Sequence, residues 1–179
     1  GGGLFRDVRL KVTNPTHIAR HGVFISTPEV SRDRATVRVQ VEIEGWQKND
    51  VTIRTRLRDA AGKVMGTAES GMPGHTHQSV TEVAMPEITI EKPSLWSPDT
   101  PYLYSAEVVV SANGMVVDSL RETFGIRKLE FSPDFGFRLN GEKLFLKGNS
   151  GHHDLGALGA AAYDRAIERM MLRLKEFGY

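Results

Sequence analysis

Residues 102–124 read YLYSAEVVVSANGMVVDSLRETF. It contains two runs of strand-forming residues, 102–111 and 115–124. Asn113-Gly114 stands between the runs, and this dipeptide is the strongest short signal for a β-hairpin turn. The stretch therefore predicts two antiparallel strands joined by a tight turn.

The residues before this hairpin carry the same kind of pattern. Apolar residues alternate with polar ones over residues 37–43 and 51–57, which is the period of a strand with one buried face. Arg54, Arg56 and Arg58 lie on the polar face of the second strand, where neighbouring acids are expected to neutralise them. About six or seven short strands separated by turns predict an antiparallel β-sandwich. The other predicted strands are residues 8–12, 23–27, 63–68 and 79–90.

The composition excludes several classes of protein. Of the 179 residues, 40% are hydrophobic and 25% are charged, which is near the average for soluble globular proteins. The formal net charge is +1, whereas nucleic-acid binders usually carry a strong basic excess. No apolar run approaches the roughly 18 residues of a membrane-spanning helix. Because cysteine is absent, disulfides and thiolate zinc sites are excluded. We therefore expect no nucleic-acid partner, no membrane partner and no cofactor.

The pattern changes near the end of the chain. Apolar residues at 135–139 lead to Asn140-Gly141, a second hairpin signal, and then to an apolar run at 144–146. A loop rich in Gly, Ala and His is predicted over residues 148–162. Helical spacing then predicts an amphipathic helix that stops near Gly178. Its apolar stripe consists of Tyr163, Ile167, Met170, Leu174 and Phe177.

One strand followed by one helix cannot bury its own apolar faces. This end of the chain is therefore predicted to be the first βα step of a larger α/β structure, and the chain to be a fragment. The stripe of the helix is also too apolar to face water. We expect it to pack on the sandwich or on a second copy of the chain. In the second case the chain would form a homo-oligomer through its C-terminal helix.

Three stretches of the sequence carry a family resemblance. The first is LWSPDTPYLY at residues 95–104. The second joins FGIR at 124–127 to FRLNGEKLFLKG at 137–148. The third joins HHD at 152–154 to RMMLRLKEFG at 169–178. In this order and spacing they resemble glycoside hydrolase family 2, the family of β-galactosidases, β-mannosidases and β-glucuronidases.

The resemblance implies a domain organisation. GGLFRDV at residues 2–8 resembles the closing strand of the family's N-terminal sugar-binding domain, which implies a first segment at 1–16. Residues 17–127 would form an immunoglobulin-like β-sandwich. Residues 128–179 would form a linker, the first strand, a loop and the first helix of a truncated (β/α)8 catalytic barrel. The implied fold class is mostly β, with one C-terminal α-helix.

The first of these stretches also has a structural interpretation. Pro98 and Pro101 fix their own backbone and bias the preceding residue to extended conformations. They predict a stiff elbow ahead of the strand at 102–111. Trp96 is expected to be a buried plug at this elbow rather than a platform for sugar stacking.

The resemblance implies a retaining glycoside hydrolase that acts on β-glycosides and is β-galactosidase-like. Retaining glycosidases need two carboxyl groups, one as nucleophile and one as acid/base. In the family both are glutamates on later barrel strands, so no residue of this sequence takes a catalytic position. The glutamates present are expected to be surface charges, and the 179-residue chain alone is expected to be inactive. Those on the predicted strands and helix include Glu42, Glu82, Glu107, Glu122, Glu168 and Glu176.

The loop after the first barrel strand contains the predicted substrate-binding residues. Active sites of such barrels lie at the C-terminal ends of the strands. His152 matches the family's histidine that hydrogen-bonds the sugar, and His153 and Asp154 complete the predicted set. Asp154 is expected to orient a neighbouring imidazole by accepting its N–H. Many relatives carry Asn just before this histidine, where this chain has Ser150-Gly151.

Two other interpretations compete with this one. His75 and His77, together with the His152 loop, supply ligand types that a metal site uses, but no third cluster completes either group. No metal site is therefore expected. The competing function is a non-catalytic immunoglobulin-like module that binds a protein or a glycan through its sheet face.

Overall fold

The computed structural model describes residues 7–45, 50–72, 80–148, 150–152 and 154–179. Contacts divide the chain into two compact units, Thr13–Leu144 and a second unit made of Gly1–Val12 with Phe145–Tyr179. The larger unit is built from strands. In chain order they are β1 (His17–Val30), β2 (Arg34–Glu44), β3 (Val51–Arg58), β4 (Val64–Met72), β5 (Val80–Ala84), β6 (Ile88–Glu91), β7 (Tyr104–Ala112), β8 (Met115–Phe124), β9 (Leu129–Ser132), β10 (Gly136–Leu139) and β11 (Glu142–Lys143).

Two four-stranded antiparallel sheets form the sandwich. In the first sheet β1 pairs with β2, and both β5 and β6 pair with the other side of β2. The second sheet has the order β4-β3-β7-β8. A small third sheet, β11-β10-β9, follows the sandwich. The predicted mostly β, antiparallel fold class is confirmed.

Alternation of side chains along the central strands forms the core. In β2 every second residue is buried, and β3 and β7 show the same pattern. Successive side chains of a strand point to opposite faces, so these residues fill the space between the two sheets. The largest fully buried side chains include Ile18, Ile43, Ile53, Leu57 and Ile90. The polar face of β3 is turned to solvent, and its arginines form ion pairs with acidic side chains, as predicted. Arg54 pairs with Glu69, and Arg56 and Arg58 both pair with Glu107.

Both predicted hairpins form. Asn113-Gly114 joins β7 to β8, and Asn140-Gly141 joins β10 to β11. The predicted strand at 79–90 is divided into β5 and β6, because Pro86 has no N–H to donate to the sheet. The sequence pattern did not predict β9, which pairs with β10 and supplies Phe131 opposite Phe137.

Two predicted strands are wrong. Residues 8–12 form no strand, and Val8, Leu10 and Val12 are between 76% and 90% exposed. The apolar run at 144–146, which was predicted to be the strand before the helix, forms none either, and Phe145 and Leu146 are exposed. Both segments have a strand pattern, but a strand needs a neighbour for its backbone hydrogen bonds. The described residues provide no such neighbour for either segment.

The smaller unit holds the predicted helix. A 3₁₀ turn covers Gly156–Leu158, and α1 covers Asp164–Glu176. Asp164 in the first turn, and Arg173 and Lys175 in the last, suit the helix dipole. No residue of α1 is fully buried. Among the described residues, no helix is long and apolar enough to cross a membrane.

Candidate functional site

Trp96 lies at a junction between the sandwich and the small third sheet. Its backbone N–H donates to the carbonyl of Ile126 at 2.8 Å. The guanidinium carbon of Arg127 lies 4.8 Å from the centre of the Trp96 ring, which is within range of a cation–π contact. Trp96 was expected to be a buried plug, and it is half-buried. The Arg127 guanidinium therefore packs against one face of the Trp96 ring.

Gly125 is required by the way Trp96 packs. A Cβ atom at Gly125 would lie 2.8 Å from the Cβ of Trp96 and 2.9 Å from its Cγ. Atoms at the base of a side chain move only with the backbone. The glycine of the FGIR stretch therefore permits the close approach of Trp96.

Asn140 ties the small third sheet to the same point. Its Nδ2 donates to the carbonyl of Trp96 at 3.0 Å, and its Oδ1 accepts from the N–H of Lys128 at 2.9 Å. The backbone N–H of Asn140 also donates to the carbonyl of Lys128 at 2.9 Å. One side chain therefore joins the stretch at Trp96 to the start of the third sheet. We call the set Trp96, Gly125, Arg127 and Asn140 the junction cluster.

Two open clefts adjoin the junction cluster. One, of about 500 Å³, is lined in part by Arg32, Leu95, Asp99, Asn140 and Lys143. The other, of about 480 Å³, runs past Trp96 and Arg127. The first cleft carries charges of both signs, and Arg32 lies 3.4 Å from Glu142 across it.

The predicted substrate-binding residues lie in the smaller unit. His152 and Asp154 are both exposed, and His153 lies outside the described residues. Oδ1 of Asp154 accepts from the N–H of Gly156 at 3.3 Å and so starts the 3₁₀ turn. The described residues show no hydrogen bond between His152 and Asp154. The carboxylate therefore supports the local turn rather than the His152 ring.

The glutamates have the surface positions that the sequence predicts. Glu107 lies between Arg56 at 3.3 Å and Arg58 at 3.7 Å. In α1, Glu168 pairs with Arg165 and Glu176 with Arg173. Glu42, Glu82 and Glu122 are exposed. These contacts provide partners for the carboxylates and suggest no role in acid/base chemistry.

Histidines and acids do not form a cluster suited to a metal within the described part of the chain. No group of three or more His, Asp or Glu side chains there could hold an ion. His75 and His77 lie outside the described residues.

The bridging role of Asn140 was missed by sequence reasoning. The Asn140-Gly141 pair predicts a turn, and the turn forms, but the side chain also bonds to a residue 44 positions earlier. The family motifs contained a signal, because Trp96, Gly125, Arg127 and Asn140 all fall within the resembling stretches. Separation along the sequence hid the contact between them.

Comparison with known proteins gives consistent results. The family model Glycosyl hydrolases family 2 matches residues 16–127. A β-galactosidase of Bacteroides ovatus is 35% identical over 180 residues, covering 99% of this chain and 21% of that protein. A β-glucuronidase of Bacteroides fragilis is 28% identical over 183 residues, covering 99% of this chain and 26% of that protein.

Solved structures agree with the sequence matches. The crystal structure of a glycosyl hydrolase family 2 member from Bacteroides cellulosilyticus has a TM-score of 0.88 and 37% identity to this chain. The match covers 94% of this chain and 23% of that one. The chain thus spans between about a fifth and a quarter of the length of these relatives. Since the family model covers more than half of its residues, the chain belongs to glycosyl hydrolases family 2.

Proposed function

We propose that this chain is part of a retaining β-glycosidase and supplies the sandwich that supports its catalytic barrel. The observation that carries the proposal is the family match over residues 16–127, together with relatives named as β-galactosidases and β-glucuronidases. A β-galactoside is the proposed substrate, since the relative from Bacteroides ovatus is named a β-galactosidase and is 35% identical.

The proposed domain organisation follows the sequence. Residues 1–16 close a preceding sugar-binding domain, residues 17–127 are the immunoglobulin-like sandwich, and residues 128–179 begin the barrel. Exposed apolar side chains support the two outer assignments. Val8, Leu10 and Val12 present a strand pattern that no described residue pairs with, and so do Phe145 and Leu146. A further sheet for each segment would cover these side chains and pair their backbone groups.

The proposed chemistry is hydrolysis through a glycosyl-enzyme intermediate. It needs two carboxyl groups about 5–5.5 Å apart, one as the nucleophile and one as the acid/base. We assign both to glutamates outside these 179 residues, because every glutamate here either pairs with a basic side chain or is exposed. The chain alone is therefore proposed to be inactive.

His152, His153 and Asp154 are proposed to line the sugar pocket of the longer protein. His152 is exposed, so its imidazole is available to bond a sugar hydroxyl. Asp154 would act indirectly, because its bond to the Gly156 N–H shapes the loop that carries His152. The proposed partner is a carbohydrate substrate. For the 179-residue chain on its own, a second copy is the proposed partner of the apolar face of α1.

The test of the proposed function is hydrolysis of chromogenic β-galactoside, β-glucuronide and β-mannoside. The assay compares the 179-residue chain with the longer protein that contains it. We expect the longer protein to release chromophore, fastest from the β-galactoside, and the chain alone to release none. Failure of the longer protein on all three would contradict the proposal and favour a non-catalytic binding module.

A second experiment tests the role of His152. In the longer protein, His152→Ala is expected to lower kcat/KM by about tenfold to a hundredfold, the range for loss of one or two well-placed hydrogen bonds to substrate. Ser150→Ala in the same loop is the control and is expected to have little effect. Equal kinetics for the His152→Ala variant and the unchanged protein would remove His152 from the site.

A further inference from the structure

The two hairpin turns of this chain share a dipeptide and a backbone conformation. Asn113-Gly114 and Asn140-Gly141 are the only two Asn-Gly pairs in the sequence. Their φ angles are 50° and 78° at the first turn, and 54° and 84° at the second. Each is a two-residue loop with positive φ at both positions, which defines the type I′ hairpin turn. The backbone therefore does not distinguish them.

Their side chains have opposite environments. Asn140 is half-buried, and its carboxamide is held at both ends, by the Trp96 carbonyl and by the Lys128 N–H. Asn113 is exposed, and its carboxamide bonds to none of the described residues; only its backbone N–H is held, by the carbonyl of Asp50 at 3.1 Å. Met115, the residue after this turn, is 70% exposed, so little packing surrounds the turn.

Asparagine followed by glycine has a well-defined reaction of its own. The backbone nitrogen of the glycine loses its proton and attacks Cγ of the asparagine, since no Cβ on the glycine hinders its approach. The N–Cγ bond forms, the Cγ–Nδ2 bond breaks, and ammonia leaves. Water then opens the resulting succinimide at either carbonyl, which gives aspartate or isoaspartate. Water is the only co-reactant, and the carboxamide must first rotate towards the following nitrogen.

We propose that Asn113 is a site of spontaneous deamidation in the folded chain and that the junction cluster protects Asn140 from the same reaction. Rotation of the Asn140 carboxamide breaks two hydrogen bonds, including the one to the Trp96 carbonyl. Rotation of the Asn113 carboxamide breaks no hydrogen bond to the described residues. We therefore expect Asn113 to lose its amide about tenfold or more faster than Asn140, since each hydrogen bond slows opening.

The products alter the β7–β8 hairpin to different extents. Aspartate at residue 113 keeps the turn, because Asp tolerates positive φ nearly as well as Asn. Isoaspartate adds a methylene to the main chain inside a two-residue loop, so the geometry of the turn cannot be kept. Formation of isoaspartate would also displace the backbone N–H that reaches the Asp50 carbonyl.

The experiment is peptide mapping by mass spectrometry during incubation of the 179-residue chain at mildly alkaline pH. Amide loss at residues 113 and 140 is followed in the same sample, once in buffer and once in concentrated urea. The folded chain should lose the amide of Asn113 first, by the factor given above, and urea should bring the two rates close together. Asn113→Gly, which keeps the turn, should abolish isoaspartate in the peptide that contains residue 113.

Two results would overturn the proposal. Equal rates at both residues in the folded chain would show that the bonds of Asn140 do not protect it. Deamidation of both residues in urea but of neither in buffer would show that the fold protects Asn113 as well. Neither result depends on glycosidase activity, so this experiment and the test of the proposed function can fail independently.

Discussion

Gly125 is the residue at which the family sequence and the packing are most tightly connected. Its missing side chain lets the base of Trp96 approach the backbone, where a Cβ would lie 2.8 Å from the Cβ of Trp96. The Arg127 guanidinium stacks on the Trp96 ring, and the Asn140 side chain donates to the Trp96 carbonyl. Changes at this point should therefore affect stability more than similar changes elsewhere.

Gly125→Ala is expected to lower the free energy of unfolding by about 1–3 kcal/mol, the usual cost of overpacking. The reason is that Trp96 or the backbone must shift to admit the methyl group. Gly71→Ala is the control, because a Cβ at Gly71, which lies in β4, would meet nothing within 4 Å. Urea unfolding of both variants measures the difference. Equal stabilities for the two variants would contradict this account of Trp96.

Asn140→Asp is expected to cost about 1–2 kcal/mol, because the Trp96 carbonyl loses its donor while the turn itself is kept. Asn113→Asp makes the same change in the same type of turn, where the side chain has no such bond, and we expect almost no effect. Chemical unfolding of the two variants side by side gives the comparison. A loss of stability in Asn113→Asp as large as that in Asn140→Asp would refute the bridging role of Asn140.

Tyr104 gives the stability a dependence on alkaline pH. Burial raises the pKa of its hydroxyl above the ordinary value of 10.0, and this outweighs the opposing bond from the Ser94 N–H at 2.8 Å. Because the pKa is higher in the folded state than in the unfolded state, the protonated hydroxyl contributes its full stability below pH 10. This contribution is lost as the pH rises through the folded pKa.

We expect the unfolding free energy to fall as the pH rises above about 10, and that of Tyr104→Phe to fall less steeply. Urea titrations at several pH values measure the two slopes. Parallel slopes for the two proteins would exclude Tyr104 as the source.

At the scale of elements, α1 presents an apolar face that the smaller unit covers only in part. Ile167, Met170 and Leu174 are half-buried, and Phe177 is 79% exposed. A second copy of the chain would bury this face. We expect the 179-residue chain to associate, so that its weight-average mass in analytical ultracentrifugation rises with concentration.

A pair of matched variants tests which face of α1 is used. Leu174→Lys places a charge on the apolar face and should return the chain to a monomer. Leu172→Lys makes the same change on the opposite face, where Leu172 is 50% exposed, and should leave association unchanged. A monomeric unchanged chain at all concentrations would contradict the predicted association.

The central strands and the helix could be predicted because their patterns report burial directly. Alternation in β2, β3 and β7 survives in the structure, since each lies between neighbours and packs on a core. The same alternation at 8–12 misled the prediction, because a pattern shows which side chains need burial but not whether a partner strand is present. β9 was missed because it is only four residues long and joins a local hairpin.

At the scale of the molecule, the sequence could predict the family and the sandwich but not the arrangement around Trp96. Asn140 lies 44 positions from Trp96, and hydrogen bonds over such distances leave no periodic trace. His152 and Asp154 were selected by resemblance, and the structure gives Asp154 a local bond that no pattern indicated. The chain provides a packed sandwich, a third sheet bonded to Trp96 through Asn140, and an exposed His152.

The stereochemistry of hydrolysis tests the central claim, that this sandwich belongs to a retaining β-glycosidase. The measurement is proton NMR of the sugar first released by the longer protein from its best substrate among the three glycosides. Retention predicts that the β anomer appears first and that the α anomer grows in later by mutarotation. Release of the α anomer first would mean inversion and would contradict the account.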